Sequence, residues 1–131
     1  MSNFRRVLFP ILIAWSLLFS YGRVSAQDKR MVVRMAKLNI DSAQLESYKA
    51  ALKEGIETAV RVEAGVLNLY AVSEKDHPTH ITVFEIYANA DAYKKHLETP
   101  HFKKYKSITK KMVESLELVE VDPVAFGAKE K

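Results

Sequence analysis

Cysteine is absent from the 131-residue chain. That excludes disulfides, thiolate metal sites, a cysteine nucleophile and a lipid anchor on cysteine. No glycine-rich phosphate loop, Gly-x-Ser-x-Gly elbow or dinucleotide fingerprint occurs, so nucleotide chemistry and serine hydrolysis are not expected. Repeats and low-complexity stretches are missing too. Tryptophan is scarce: the one copy, Trp15, sits near the N-terminus.

What is present first is a three-part N-terminal segment. Arg5 and Arg6 precede an uncharged run from Val7 to Tyr21, and Val24-Ser25-Ala26 closes it ahead of the polar Gln27-Asp28-Lys29-Arg30. Charge, apolar run and small-residue site are the pattern of an export signal over residues 1–26, with a mature chain from about Gln27. The run is shorter than the ~20 residues of a spanning helix and contains Pro10, although an uncleaved anchor is the alternative. A periplasmic or secreted protein is expected, with no stable membrane insertion after cleavage. Cleavage removes three arginines and no acidic residue, which takes the formal charge from +4 to +1. The basic balance of the precursor therefore carries no argument for nucleic-acid binding. The mature chain also has no tryptophan. About 105 residues are enough for one domain over 27–131, with its core at 31–121 and a loose tail at 124–131.

The apolar patterns alternate between strand and helix. Met31–Ile40 reads as a strand. Asp41 and Gln44 form a capping-box pattern ahead of a helix whose apolar positions are Leu45, Tyr48, Leu52, Ile56, Ala59 and Val60. Glu63-Ala64-Gly65 ends that helix, with Gly65 expected in the left-handed region. Val66–Ser73 and His80–Ala88 read as a hairpin around the Pro78 loop. Asn89 caps a short helix to about Leu97, and Thr99-Pro100 starts a second, expected to run to about Glu114. Leu116–Val121 is the last strand. The order β-α-β-β-α-β, with the second helix split, predicts a ferredoxin-like α+β fold. Right-handed crossovers place the first strand between the third and the fourth. Both faces of the strands carry apolar residues, which predicts that a second copy covers the face away from the helices, giving a homodimer. Leu69→Asp is the probe of that contact if Leu69 lies on the covered face.

Glu63-x-Gly65, Tyr70, the Pro78 loop, Glu85-x-Tyr87 and His96-Leu97-x-Thr99-Pro100-His101-Phe102 resemble the antibiotic biosynthesis monooxygenase domain, especially its small quinol monooxygenase-like members. The resemblance covers about Val32 to Val121. It implies a dimeric α+β barrel and, for many members, oxidation of a phenol or quinol by O₂ with no cofactor. Many members have tryptophan where this chain has Tyr87. Haem-degrading relatives depend on an Asn-Trp-His set that the mature chain does not carry.

His96 and His101 are the catalytic candidates, because neutral imidazole can take a phenolic proton before the anion meets O₂. The alternative is that they cap helix ends or pack around the Thr99-Pro100 kink. Asn68, Tyr70, Glu85 and Tyr87 are read as polar groups of a largely apolar substrate cavity, with Tyr70, Glu85 and Tyr87 sharing faces by alternation. Glu85 paired with Arg34 is the structural alternative. Phe102 is a further candidate contact, although the Phe102/Tyr105 spacing favours core. His77 and His80 are read as solvated loop residues, since Asp76 is the only nearby third ligand considered; no metal and no cofactor are expected. Lys103, Lys104, Lys106, Lys110 and Lys111 are read as a solvated face. The two functional readings are a monooxygenase acting on a small aromatic or quinol-like substrate with O₂, and a non-catalytic barrel binding an apolar ligand or partner protein.

Overall fold

The computed structural model describes residues 29–129. The expected export signal at residues 1–26 lies outside them. Among the described residues no helix is long and apolar enough to cross a membrane.

Four antiparallel strands, β1 (Val32–Ile40), β2 (Val66–Ser73), β3 (His80–Tyr87) and β4 (Val113–Glu120), form one sheet in the order β2-β3-β1-β4. That is the ferredoxin-like order expected from the chain. Helices α1 (Leu45–Val62), α2 (Ala90–Glu98) and α3 (Pro100–Thr109) connect them. Two helix starts depend on caps legible in the sequence. The Asn89 side chain accepts from the Ala92 N–H, and Thr99 Oγ1 accepts from the Phe102 N–H, with Pro100 at the first turn of α3. Caps of this kind contribute about 1 kcal/mol each. Asp41 caps a short 3-10 turn, Ser42–Gln44, that precedes α1, and Gln44 returns its amide to the Asp41 carboxylate.

The register separates the two faces of the sheet. Arg34, Ala36 and Leu38 of β1 lie beside Glu85, Val83 and Ile81 of β3 and beside Glu120, Leu118 and Leu116 of β4. This face meets the helices. Ala36, Leu38, Ile40, Ile81 and Val83 pack with Tyr48 and Leu52 of α1, and Ala59 of α1 packs with Val66, Leu69 and Tyr87. Within the core the Tyr48 and Tyr105 hydroxyls share a 2.7 Å hydrogen bond, so neither phenol is buried unpaired.

Three sequence expectations change. α3 ends at Thr109 rather than near Glu114, because Met112 turns back: its N–H donates to Thr109 O and its carbonyl accepts from the Asp41 N–H. β4 therefore starts at Val113 and pairs with β1 from Ile40 onward. Gly65 does not adopt a positive φ. A Cβ there would lie 2.5 Å from the Ala92 Cβ, so close approach of α2 explains the glycine instead. The basic stretch of α3 is exposed, as expected, with Lys103 paired to Glu98 and Lys104 to Glu54; exposed pairs of this kind contribute little. Val60, expected on the buried stripe of α1, is about half exposed.

Candidate functional site

The end of α1 and the kink between α2 and α3 meet above β3. At that meeting point Glu63 Oε2 lies 2.8 Å from His96 Nδ1 and 2.7 Å from His101 Nε2. The three side chains are largely buried, at 12%, 9% and 16% exposure. A carboxylate oxygen accepts, so each ring nitrogen that faces it carries the proton. In neutral imidazoles this leaves His96 Nε2 and His101 Nδ1 as the free lone pairs. One carboxylate oxygen thereby fixes the tautomers of two candidate bases. The kink makes this possible: α2 stops at Thr99, whose hydroxyl donates to the His96 carbonyl, and α3 restarts at Pro100, which brings His101 back beside His96.

The ring nitrogens and the Glu63 oxygen also form a set with metal-ligand chemistry. Their 2.7–2.8 Å contacts are hydrogen-bond distances and shorter than the roughly 3.3 Å between neighbouring ligands of a tetrahedral ion. The cluster as it stands is a hydrogen-bonded relay.

His96 and His101 line a cavity of about 840 Å³ between the sheet and the helices, together with Leu69, Glu85, Tyr87 and Phe102. Leu116 and Leu118 of the edge strand form its outer wall and remain about half exposed. The His96 ring is held between Tyr87 and Phe102, with centroids at 5.3 and 4.8 Å. Phe102 is thus both a packing residue and part of the cavity wall.

Glu85 takes its hydrogen bond from the Tyr87 hydroxyl at 3.0 Å. Arg34 stands across from Glu85 in the strand register, but its guanidinium lies over the Tyr93 ring, 4.4 Å from the centroid, and its Nε is buried without a hydrogen bond. Burial raises the Glu85 carboxyl above its ordinary range, opposed by the Tyr87 hydrogen bond and by the charges of Arg34 and His96. Burial likewise raises the Tyr87 phenol, reinforced by Glu85.

The raised Glu85 value has a measurable consequence. A carboxyl that holds its proton more tightly when folded stabilises the fold below the ordinary carboxylate range, and that contribution is lost as pH rises through the folded value. Glu85→Gln keeps an acceptor for Tyr87 and removes the buried charge. Its Tm is expected to exceed the parent's near pH 7, and the gap should shrink towards about pH 4. An equal gap at both pH values would mean that Glu85 ionises without penalty.

The remaining sequence candidates fall elsewhere. Tyr70 pairs across from Phe84 and Asn68 across from Ile86, so both lie on the sheet face opposite to Glu85 and Tyr87. Tyr70 is 65% exposed there. Period-two alternation is correct within one strand, but the β2–β3 register shifts between Val66 and Asn68, and this sets the relative phase of the two strands. The expectation that Tyr70 shares the cavity face is therefore corrected. The Asn68 amide oxygen is buried without a partner, away from the cavity lining. Glu63 was not among the sequence candidates. Its only signal was the Glu-x-Gly at a helix end, since its partners lie 33 and 38 residues on.

Comparison with known proteins adds the relatives. The family model for antibiotic biosynthesis monooxygenase matches residues 31–107. The chain is similar to a candidate antibiotic biosynthesis monooxygenase from Bacteroides thetaiotaomicron VPI-5482, with 52% identity and a TM-score of 0.74, over 78% of this chain and 97% of that one. A candidate monooxygenase from Lactobacillus acidophilus NCFM shares 27% identity and a TM-score of 0.67, over 73% of this chain and 52% of that one. A Nitrosomonas europaea protein at 21% identity and a TM-score of 0.68, over 72% of this chain and 90% of that one, shares the fold. No curated protein matches the sequence. With more than half of the chain matched by the family model, the protein belongs to the antibiotic biosynthesis monooxygenase family.

Proposed function

We propose that the protein is an exported, cofactor-independent monooxygenase that oxidises a small aromatic or quinol-like substrate with O₂. The observation that carries this reading is the Glu63–His96–His101 relay opening onto a largely apolar cavity. A planar aromatic in this cavity would lie beside Phe102, where the far nitrogen of His96 or His101 takes its phenolic proton. The imidazolium that forms is stabilised in place by the Glu63 carboxylate. The electron-rich anion passes an electron to O₂, and recombination puts one oxygen atom on the ring. The other leaves as water, so that a quinol and O₂ give a hydroxyquinone and water, with the quinol supplying every electron.

The test is O₂ uptake by the purified protein with a panel of hydroquinones. Uptake above the autoxidation blank, with a ring-oxygenated product carrying one atom from labelled O₂, supports the reading. Absence of uptake for every quinol would return the cavity to the binding of an apolar ligand. Export to the periplasm or beyond is part of the proposal and rests on the 1–26 segment; N-terminal sequencing of the exported chain, expected to start near Gln27, checks it.

We also propose a homodimer formed through the sheet face that carries Tyr70 and Val72, which are 65% and 64% exposed beside Met35 and Phe84. Leu69 is buried on the helix side, so Leu69→Asp would disrupt the core and is not the probe of this contact. Tyr70→Asp with Val72→Asp is expected to give a folded monomer by light scattering where the parent chain scatters as a dimer. A monomeric parent at micromolar concentration would remove this part of the proposal.

A further inference from the structure

The β2–β3 hairpin holds a second cluster, separate from the cavity. Its base is tied by hydrogen bonds from the Glu74 N–H to the His80 carbonyl, from the His80 N–H to the His77 carbonyl and from Ser73 Oγ to the Pro78 carbonyl, at 3.1, 2.9 and 2.7 Å. Pro78 further restricts the loop. On this frame Glu74 Oε2 stands 3.7 Å from His77 Nδ1 and 3.4 Å from His80 Nδ1, and each of the three residues offers one ligand atom within 4.8 Å of those of the other two. The two imidazoles are nearly parallel, 15° apart with centroids at 5.3 Å. In sequence Asp76 is the nearest candidate for a third group; the fold supplies Glu74 instead.

We propose that this hairpin binds one divalent transition-metal ion through Glu74, His77 and His80. The spacing carries the argument. An N–H···O pair settles near 2.9 Å, whereas ligands about 2.0–2.1 Å from a tetrahedral ion stand roughly 3.3–3.5 Å apart. The 3.4 Å distance from Glu74 to His80 falls in the second range and the 3.7 Å distance to His77 lies just beyond it, in contrast to the 2.7–2.8 Å contacts around Glu63. Two imidazoles and one carboxylate favour zinc, nickel or copper(II) over magnesium or calcium. The ligands are half to two-thirds exposed, so water completes the coordination and no buried charge is created. The bound ion clips the two ends of the loop together.

The test is calorimetric titration of the purified protein with zinc chloride, with magnesium chloride as control. One zinc site is expected and no magnesium heat. His77→Asn or His80→Asn should weaken zinc by at least about tenfold, and His96→Gln should leave it unchanged. Copper(II) added to the parent should show nitrogen hyperfine coupling that falls in either hairpin variant. These positions are exposed, so the variants fold. Absence of zinc heat, or zinc binding that survives loss of both hairpin histidines, overturns the proposal. Binding lost only in His96→Gln overturns it too, by placing the ion at the cavity. None of these outcomes depends on oxygenase activity.

Discussion

Replacing His96 by glutamine is expected to lower quinol-dependent O₂ uptake by roughly 10²–10⁴-fold, the usual contribution of a positioned general base. Glutamine keeps most of the volume between Tyr87 and Phe102, so a folded protein remains on which to measure it. His96→Ala would open a hole in that buried position and confuse the loss of a base with the loss of packing. Glu63→Gln gives the companion result. An amide oxygen can still accept from one imidazole, but it no longer supplies a charge that two ring N–H groups share. The rate should fall with the thermal midpoint little changed, and Glu63→Ala should fall further because both rings lose their anchor. His101→Gln separates the roles: a loss like that of His96 makes the pair one relay, whereas a small loss makes His101 a positioning residue. A rate within about twofold of the parent in folded His96→Gln and His101→Gln would put the proton acceptor elsewhere.

The second large effect is steric. Gly65→Ala is expected to destabilise the protein by about 1–3 kcal/mol and to reduce activity as well. Gly65 has no positive φ, and at such a position alanine ordinarily stabilises by about 0.4–1 kcal/mol through the unfolded chain. Here the added Cβ meets the Ala92 Cβ at 2.5 Å, far inside van der Waals contact, and that cost outweighs the entropic gain. Relief requires α2 to move outward. Ala92 and His96 are four residues apart on α2, one turn along the same face, while Glu63 precedes Gly65 by two residues. The same displacement therefore lengthens the Glu63–His96 contact. A fall in Tm of about 4–8 °C per kcal/mol is expected. Ala92→Gly in the Gly65→Ala background should recover part of it, short of the parent by roughly the 1 kcal/mol that glycine costs a helix. An unchanged Tm in Gly65→Ala would show that α2 yields freely.

These two sites illustrate what the sequence could reveal. β2 was legible to the residue, and the helix breaks at Asn89 and Thr99-Pro100 followed from caps, because each is decided within a few neighbours. His96 and His101 could be selected for their chemistry and for the kink between them. Glu63 could not, since its role depends on a contact across more than thirty residues. Tyr70 reads onto the wrong face for a related reason: one register shift near Asn68 reverses the relation between neighbouring strands, and alternation within each strand does not record it. The local pattern carries α3 too far because pairing with β1 claims residues that permit helix. Gly65 stood out as a helix-ending glycine, but the reason for it is a neighbour 27 positions away.

The oxygen that joins Glu63 to both imidazoles also closes two long loops of chain. Bringing together ends about 33 residues apart costs on the order of 3 kcal/mol in chain entropy, by the logarithmic loop-closure relation. Strand β2, strand β3 and helix α2 must all be in place before that junction exists, so during synthesis the cavity that His96 and His101 line is among the last parts of the domain able to form. A molecule lodged there holds together segments that the unfolded chain keeps far apart, and its occupancy resists unfolding of the whole domain.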